Sequence, residues 1–554
     1  MAARNKELLF VPLGGAGEIG MNMSLYGYGD DWLMVDCGIT FGDERTPGID
    51  IMVPDIRFIT ENVDNLLGIV LTHAHEDHLG AVPYLWKWLR CPVYGTPFAC
   101  SLLRRKLAED GDGIEGAVPL REVPCGGGVR IGPFDIGFIP LAHSIPETQA
   151  LAIKTPVGTV LHATDWKLDP EPLLGPVTDE AALRRVGDSG VIALMCDSTN
   201  VFKEGRSGSE GPLRDSLTEI VAHCRKGVAV TCFASNVARL ESCVAAARAS
   251  GRHVGLVGRS LWRIVEVARE CGYLTDCPPF LDIDEIGYLP REELLLVVTG
   301  SQGEARAALA RIAAGEHRDV KLEEGDTVIF SSKEIPGNER AIGRIQNQLA
   351  RQGVDVITED DDFVHVSGHP ARDELRALYG LVRPPLLVPI HGETRHLAEH
   401  LNYAQDCGIP DAVMAENGSI LRLHPGPAEI VDEAPWGRQA VDGRRLIPVD
   451  GGVMRARRRM GFGGVAVATV VLKKNGELHE EPRLSVPGLV DDEGDDREIR
   501  DTAVAAIAEA VDALSSSARR SDDEVTGATV RAIRAVFRSS LGRRPLAEVH
   551  VVRL

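Results

Sequence analysis

The chain has 554 residues, too many for one ordinary hydrophobic core, so two to four domains are expected. Apolar residues make up 44% of it, but no apolar run reaches the length of a membrane span. The start shows no signal-peptide core. Eleven cysteines without a C-x-x-C pair favour free thiols in the cytoplasm. A formal net charge of −21 would confine any nucleic-acid binding to a groove.

Two strands, 7–13 and 32–37, are predicted on either side of a glycine-rich turn near the N-terminus. Asp36 lies at the end of the second strand, where its carboxylate could hold a metal ligand in place from behind. A capping role in the turn explains this residue equally well. Asp50 lies in the irregular loop that follows and is a weak candidate ligand for a hard cation.

The stretch 66–80, LLGIVLTHAHEDHLG, carries the strongest chemical signal in the chain. Its apolar first half predicts a buried strand. Four potential metal ligands then follow within six positions, and these are His73, His75, Asp77 and His78. Imidazole and carboxylate groups suit zinc, and the alternating His73 and His75 can point into one site. Asp77 and His78, past the bend, can face a second metal ion.

Further polar residues follow short apolar strands along the chain. His143 ends a pair of strands, Asp165 follows the strand in GTVLHATD, and Asp197 follows that in VIALMCD. His391 ends an apolar strand much later, after His365 and His369 have appeared around a Ser-Gly turn. A layered α/β sheet presents its functional residues along one edge in this way.

From about residue 201 the pattern changes to strands that alternate with helices, which predicts a doubly wound parallel sheet. Loops such as Ser235-Asn236 and Ser301-Gln302-Gly303 come before helices and could bind anions through their main-chain N–H groups. Ordinary helix capping explains the same residues equally well. The last hundred residues predict a small α+β unit of strand, helix, helix and strand, either an oligomerisation module or a packing appendage.

A family resemblance rests on many of these strings together. HAHEDH matches the H-x-H-x-D-H signature of the metallo-β-lactamase superfamily, and the insertion followed by SGH and PIHGE resembles the β-CASP nucleases within it. The strings PGIDIMVPD, HSIPE, DSTN, SGSE, FASNVARL, GRS, TGSQGE, HVSGHP and PIHGE resemble the bacterial ribonuclease J family. They run to about residue 395, and the C-terminal unit is similar in length and pattern.

The resemblance implies an α/β fold, in which a metallo-β-lactamase αββα sandwich holds an inserted β-CASP parallel-sheet domain. The sandwich would comprise 1–205 and 367–435, and the β-CASP domain 206–366. A linker, 436–458, would lead to a small C-terminal α+β domain, 459–554, that forms a homodimer or homotetramer. The resemblance also implies cytoplasmic RNA maturation and mRNA decay, with protein partners in RNA decay as candidates.

The family's functional residues can be carried over position by position. One zinc would be held by His73, His75 and His143, the other by Asp77, His78 and His391, and Asp165 would bridge both. Asp197 and His369 would transfer protons, while Ser235, Asn236, His365, Val366, Ser367, Gly368 and His369 would bind substrate phosphate. Asp50 and Asp442 correspond to a calcium site of some relatives. Thr164, before the bridging aspartate, stands where glycine is more usual.

These residues predict a two-metal hydrolase in which hydroxide attacks the phosphodiester of single-stranded RNA. A phosphate pocket at a fixed distance from the metals would favour 5′→3′ exonucleolysis of 5′-monophosphorylated RNA, with internal cleavage if RNA threads through the cleft. The alternatives are a DNA-processing β-CASP nuclease, a lactonase or thioesterase of the same superfamily, and a non-catalytic scaffold in an RNA-decay complex. A scaffold would have lost ligands, and all seven are present.

Overall fold

The computed structural model of the protein describes residues 6–110, 113–114, 116–335, 337–491 and 495–554. Its contacts divide the chain into two compact units. The larger unit comprises Met1–Thr40 and Val53–Gly437, and the smaller comprises Phe41–Met52 and Arg438–Leu554.

Two β-sheets pack face to face in the larger unit. The first has eight strands in the order Glu429–Glu433, Ser419–His424, Leu8–Gly14, Met23–Tyr28, Asp31–Val35, Leu66–Val70, Val93–Gly95 and Leu120–Glu122. The second has seven strands in the order Gly128–Ile131, Phe134–Pro140, Gln149–Thr155, Gly158–Ala163, Ala193–Asp197, Leu386–Ile390 and Asp411–Ala412.

Side chains that alternate along the strands fill the space between these sheets. In the strand Gln149–Thr155, Leu151 and Ile153 belong to the core between the sheets, whereas Ala150 and Ala152 belong to the apolar cluster on the opposite face. A strand directs successive side chains to opposite faces, so both faces of this sheet are buried.

Helices cover the outer faces of the two sheets. Behind the first sheet, Phe58 of a short helix packs edge-on against Trp32, with 5.4 Å between the ring centroids. Behind the second, Leu183, Leu378 and Tyr403 contribute to a buried cluster. The helices of this sandwich are Arg57–Thr60, Glu76–Leu79, Val82–Leu89, Pro97–Asp110, Glu180–Ser189, Arg372–Val382 and Thr394–Asp406. The layers run helix, sheet, sheet, helix, as expected.

A five-stranded sheet is inserted between the two parts of the sandwich. Its strands are parallel and lie in the order His253–Val257, Leu294–Val298, Val228–Thr231, Thr327–Phe330 and Asp355–Ile357. The helices of this region are Glu210–His223, Val237–Ala249, Arg259–Glu270, Ile283–Ile286, Ala308–Ala313 and Glu339–Arg351. The predicted parallel sheet with alternating helices is therefore confirmed.

The smaller unit contains a three-stranded sheet in the order Arg483–Ser485, Val465–Leu472 and Leu546–Arg553. Ile507 of the helix Asp495–Asp512 packs against this sheet together with Phe537 of the helix Asp522–Leu541. The predicted order of strand, helix, helix and strand is confirmed.

The segment 436–458, expected to be a linker, contains regular structure. Four strands lie in the order Arg445–Pro448, Arg438–Asp442, Ile51–Pro54 and Thr40–Phe41, and the helix Gly452–Gly463 follows them in the chain. Ala440, Ile447 and Met454 are buried in a small apolar cluster of this region. The sequence did not reveal these elements for two reasons: their composition is polar and basic, and the strand with which they pair is far away in sequence.

All eleven cysteines are free, as predicted from their spacing. Among the described residues, the helices are all too short or too polar to cross a membrane.

Candidate metal centre

Three neighbouring parallel strands of the second sheet end at one edge and place polar residues there. Asp165 lies just past the strand Gly158–Ala163, Asp197 ends Ala193–Asp197, and His391 follows Leu386–Ile390. Because the carboxyl ends of parallel strands meet at the same edge, residues from distant parts of the chain come together here. The loop after Leu66–Val70 of the first sheet brings His73, His75, Asp77 and His78 to the same place.

A first donor set consists of His73, His75, His143 and Asp165. Nδ1 of His75 lies 3.1 Å from Nε2 of His73 and 3.1 Å from Nε2 of His143. Oδ2 of Asp165 lies 3.6 Å from each of those two Nε2 atoms. His73 and Asp165 are almost fully buried, so these four atoms surround one small enclosed space.

A second donor set consists of Asp77, His78, His391 and Asp165. Nε2 of His78 lies 3.5 Å from Oδ2 of Asp77 and 3.3 Å from Oδ1 of Asp165. Nε2 of His391 lies 3.6 Å from the same Oδ1. The two oxygens of Asp165 therefore face different donor sets, one oxygen to each.

Both donor sets fit a metal ion in their spacing and chemistry. Tetrahedral zinc with bonds of about 2.0–2.2 Å needs donor atoms separated by about 3.3–3.5 Å, and the measured separations lie close to this value. Three imidazole nitrogens with one carboxylate oxygen, or two of each, are donors that zinc accepts. The His/Asp cluster is thus a metal site, as expected from the stretch 66–80.

The electrostatics of the centre also suit a cation. Burial lowers the pKa of His73 and His75 well below the usual value and that of His143 to about 3, so these rings are neutral donors. Burial acts in the same direction on His78, but the carboxylates of Asp165, Asp77 and Asp36 outweigh it and raise its pKa well above the usual value. The acidic second set therefore favours a bound positive charge.

Asp36 lies behind the second donor set. Its Oδ2 accepts a hydrogen bond from Nδ1 of His78 at 2.7 Å, and its Oδ1 accepts one from the main-chain N–H of Thr72 at 2.8 Å. This leaves Nε2 of His78 as the donor atom toward the centre. A carboxylate behind a histidine ligand fixes its tautomer and ring orientation.

Asn22 fixes the orientation of His391 as Asp36 fixes that of His78, and this role was not predicted from the sequence. Its Oδ1 accepts a hydrogen bond from Nδ1 of His391 at 2.8 Å, while its Nδ2 donates to the main-chain oxygen of Asp77 at 3.1 Å. Only its position, as a single amide after a glycine-rich turn, could have pointed to this role. One side chain thereby orients two members of the second set.

Three residues of the centre adopt left-handed backbone conformations that side chains other than glycine rarely take. The φ angles are +61° at Asp36, +42° at Asp165 and +52° at His391. Asp36 and His391 lie directly after a strand and Asp165 lies one residue further on, and the turned backbone redirects each side chain. Such conformations cost about 1–3 kcal/mol each and are concentrated at functional sites.

Thr164 also lies against the bridging carboxylate. Its hydroxyl donates a hydrogen bond to Oδ1 of Asp165 at 2.8 Å, the oxygen that faces the second donor set. The residue that departs from the usual family pattern therefore contacts the centre directly.

His369 and Asp197 form a pair beside both donor sets. Nδ1 of His369 lies 2.8 Å from Oδ2 of the fully buried Asp197, and the His369 ring stacks on that of His391 at 5.5 Å. Burial alone would lower the pKa of His369, but the carboxylates of Asp197 and Asp165 outweigh it and raise the pKa to about 9. The pair thus holds an imidazole over the metal site with one nitrogen fixed.

The loop His365–His369 is tied to the first donor set. The main-chain oxygen of Gly368 accepts a hydrogen bond from Nδ1 of His143 at 2.6 Å. A Cβ atom at Gly368 would lie 2.6 Å from Cε1 of His143, so only glycine fits. Asn200 Nδ2 donates to Ser367 Oγ at 2.7 Å and to the main-chain oxygen of His369 at 3.0 Å, while Val366 is buried.

Ser235 and Asn236 lie at the start of the helix Val237–Ala249. The Asn236 side chain caps this helix by accepting a hydrogen bond from the main-chain N–H of Arg239 at 2.9 Å. The Arg239 guanidinium donates to the main-chain oxygen of Val364, so the start of the helix lies near the residue before His365. Capping uses the carbonyl oxygen of Asn236 and leaves its amide group as a donor.

The proposed calcium ligands are arranged less favourably. Arg457 donates to Oδ1 of Asp442 at 2.6 Å and Arg445 to Oδ2 at 2.8 Å. These hydrogen bonds lower the pKa of Asp442. Ca²⁺ needs six to eight oxygen ligands, and two guanidinium groups already occupy this carboxylate, so the arrangement gives no support to a site with Asp50.

Family models match most of the chain. The metallo-beta-lactamase superfamily matches 17–221, and the ribonuclease J beta-CASP domain matches 225–349. The Zn-dependent metallo-hydrolase RNA specificity domain matches 353–413, and the ribonuclease J C-terminal domain matches 452–554. These matches confirm the expected fold class.

Individual proteins agree with the family models. Ribonuclease J of Sinorhizobium meliloti is 44% identical, and the match covers 100% of this chain and 98% of that protein. Ribonuclease J of Mycolicibacterium smegmatis is 40% identical over 87% of this chain and 86% of that protein. A crystal structure of an Enterococcus faecalis protein of unknown function covers 75% of the chain with a TM-score of 0.53 and 16% identity, and so shares the fold.

With a metal site at the edge of the sandwich, an inserted parallel sheet and a relative matched over the full length, the chain belongs to the ribonuclease J family of metal-dependent β-CASP nucleases.

Proposed function

We propose that the protein is a two-zinc ribonuclease that degrades single-stranded RNA from the 5′ end and prefers a 5′-monophosphate, with internal cleavage only where RNA threads through the cleft. The observation that carries this proposal is the His369–Asp197 pair, which lies beside both donor sets at the end of the loop His365–His369. RNA maturation and mRNA decay in the cytoplasm are the processes that such an activity serves.

In this proposal His73, His75 and His143 hold one zinc ion, Asp77, His78 and His391 hold the other, and Asp165 bridges them. Bound zinc supplies Lewis acidity and a nucleophilic hydroxide at neutral pH. Asp36 and Asn22 keep the histidine donor atoms directed inward while substrate binds.

The protein's own residues handle the leaving group. Asp197 accepts the hydrogen bond from Nδ1 of His369, which leaves Nε2 directed at the substrate. A proton on Nε2 can then pass to the leaving 3′-oxygen. Asp197 holds the ring in the orientation needed for that transfer. It does not itself exchange a proton with the substrate.

The 5′ end is proposed to bind at the loop of His365, Val366, Ser367, Gly368 and His369 with Ser235 and Asn236. Main-chain N–H groups, a serine hydroxyl and the start of a 13-residue helix are groups that bind phosphate. A triphosphate is bulkier and more charged than a monophosphate, so this pocket disfavours it.

The test uses one internally labelled RNA, prepared with a 5′-monophosphate or a 5′-triphosphate, and the same sequence as DNA. Early mononucleotides from the monophosphate RNA only are the expected result. Equal rates with discrete long fragments would contradict the 5′-end preference, and faster cutting of DNA would favour the DNA-processing alternative. His369→Ala should lose turnover, whereas His253→Ala, at an exposed position, should retain it.

We also propose that the domain 459–554 joins two or four copies of the chain. The strand Leu546–Arg553 lies at the edge of its sheet, and Val552 and Leu554 near its end are 41% and 56% exposed. An unpaired strand edge can pair with another chain. Sedimentation of the full chain, compared with a chain that ends before residue 459, tests this, and a monomeric full chain would contradict it.

A further inference from the structure

An exposed aromatic side chain lies on the loop that supports the phosphate-binding residues. Phe202 follows the segment Asp197–Asn200, and 49% of its surface is exposed. Arg372 donates from Nε to the main-chain oxygen of Val201 and from its main-chain N–H to the oxygen of Lys203. Hydrogen bonds on both sides therefore fix the backbone of Phe202 while its ring stays accessible.

A guanidinium and an imidazole border this ring. The Arg395 guanidinium lies 5.6 Å from the ring centroid, and the His396 ring packs edge-on at 5.3 Å. Lys203 is the next residue in the chain and is exposed. An exposed phenylalanine that serves only to pack would have apolar neighbours, whereas this one borders a guanidinium and an imidazole.

A second lysine lies close to Lys203. Burial and the neighbouring ammonium group of Lys203 lower the pKa of Lys333. The Gln302 amide donates to the main-chain oxygen of Lys333 at 2.8 Å, which fixes its backbone. Within the described ranges neither lysine forms a salt bridge, although the Glu359 carboxylate partly offsets the charge of Lys333. Two adjacent ammonium groups repel each other unless an anion lies between them.

Two buried imidazole nitrogens beside the lysines also lack a hydrogen-bond partner. They are Nδ1 of His365, at the start of the phosphate-binding loop, and Nδ1 of His396, beneath Phe202. The second nitrogen has the Glu393 carboxylate 3.7 Å away, whereas no ion pair is found at the first among the residues that the structure describes. Both lysines contribute to the positive potential at His365, and Lys333 contributes at His396. Buried polar atoms are normally satisfied, so Nδ1 of His365 indicates that a polar ligand belongs here.

We propose that Phe202, Lys203 and Lys333 form a binding surface for single-stranded RNA, in which the Phe202 ring stacks on a base and the two ammonium groups hold a phosphodiester. This inference rests on the proposed ribonuclease function and adds residues that contact the chain of the substrate. Aromatic rings interleaved with cations bind single strands without sequence preference, because every base has a face on which to stack.

The loop contacts connect this surface with the cleavage site. Asn200, three residues before Lys203, holds Ser367 and the main-chain oxygen of His369. An RNA whose phosphate lies at the loop His365–His369 can therefore place a neighbouring nucleotide on Phe202.

The first experiment compares steady-state cleavage of a 5′-monophosphorylated RNA by Phe202→Ala and by the double variant Lys203→Ala/Lys333→Ala. Loss of one stacked base should raise KM about 5- to 100-fold for Phe202→Ala, with kcat nearly unchanged, while Phe202→Tyr should restore the wild-type KM. In the double variant the slope of log affinity against log salt should fall by about 0.7, since the two ammonium groups hold one phosphodiester and each phosphate contact on a single strand contributes about 0.7. Tyr288→Ala and Lys321→Ala, at exposed positions, are the matched controls.

A second measurement scans one abasic site along the RNA. Wild-type protein should show weaker binding when the abasic site reaches one particular position, and Phe202→Ala should abolish that dependence. Bis(p-nitrophenyl) phosphate is too small to span both places, so its hydrolysis should stay unchanged in all these variants.

The outcomes separate the two proposals. If Phe202→Ala cleaved RNA with the same KM as Tyr288→Ala, the RNA-binding surface alone would be overturned. The same conclusion would follow if Phe202→Ala bound RNA normally and lost only the ability to bind a protein partner. A wild-type protein that hydrolyses the small phosphodiester but neither binds nor cuts RNA would overturn the proposed function together with this inference.

Discussion

The two donor sets of the metal centre share Asp165, but His143 of the first set and the histidines of the second set are held by different kinds of contact. In the first set, Nδ1 of His143 donates to the main-chain oxygen of Gly368, in the loop proposed to bind phosphate. In the second set, His78 and His391 are held by the side chains of Asp36 and Asn22. His143 is thus coupled to the substrate loop, whereas His78 and His391 are coupled to the N-terminal part of the first sheet.

This difference has a consequence for mutagenesis. Truncating a side chain can release a ligand of the second set, because its supports are themselves side chains. The hydrogen bond that holds His143 is made to a main-chain oxygen, so breaking it requires a change in the loop backbone. The predictions below use this asymmetry, and each one measures metal binding.

Asp165→Ala should remove the distinction between the sets, because one oxygen of this carboxylate faces each of them. We expect loss of metal from both sets and a fall in activity of more than about 10³-fold, since a catalytic metal ion supplies several kcal/mol. Elemental analysis of the purified protein gives the metal content. Asp135→Ala, at an exposed position on the strand Phe134–Pro140 of the same sheet, is the control, and retention of both metals in Asp165→Ala would show that the carboxylate does not bridge.

Gly368→Ala should disturb the first set alone. The new Cβ atom would lie 2.6 Å from Cε1 of His143, so the ring or the loop must shift. A misplacement of about 1 Å costs about 10²-fold in rate, and we expect a loss of activity of that size. Of the two metal-binding steps, one for each donor set, we expect only the step at the first set to weaken. Gly380→Ala has open space around it and should behave as wild type. Unchanged metal affinity in Gly368→Ala would separate the loop from the first set.

Asn22→Ala should disturb the second set alone. His391 loses the acceptor of its Nδ1–H, and Asp77 loses a hydrogen bond at its main-chain oxygen. Removal of such a supporting residue lowers metal affinity about 10- to 100-fold, which a competition titration with a chelator detects. Asn22→Asp keeps the acceptor but loses the donor, so it should fall between wild type and alanine. Asn402→Ala, at an exposed position, is the control, and weakening of both metal-binding steps by Asn22→Ala would contradict the asymmetry.

The sequence could predict what depends on local spacing. His73, His75, Asp77 and His78 follow one strand within six residues, so their common site and the buried strand before them were evident from the chain alone. The strands and helices of the inserted domain were likewise predictable, because apolar runs and capping residues mark them locally.

What the sequence could not predict depends on contacts between distant segments. Asn22 and His391 are brought together only by the packing of the first sheet on the second, and no local pattern marks an orienting amide. The strands within 436–458 need a partner strand that begins at Ile51, and their polar composition concealed them. The hydrogen bond from Thr164 to Asp165 depends on the left-handed backbone at Asp165, which no residue pattern indicates.

Thr164→Val should have the smallest effect on metal affinity, and it should raise that affinity where the other variants lower it. The valine keeps the shape of the side chain but removes the hydroxyl that donates to Oδ1 of Asp165, the oxygen of the second set. A carboxylate oxygen that no longer accepts a hydrogen bond has more electron density to offer a metal ion, so the second binding step should tighten by less than about tenfold. The first step should stay unchanged, because Oδ2 faces that set. Thr164→Ser retains the hydroxyl and should match wild type in the same chelator competition. Weaker binding in the valine variant would mean that the hydroxyl chiefly orients the carboxylate, and the bridging oxygen would then depend on a side-chain support like the histidines of the second set.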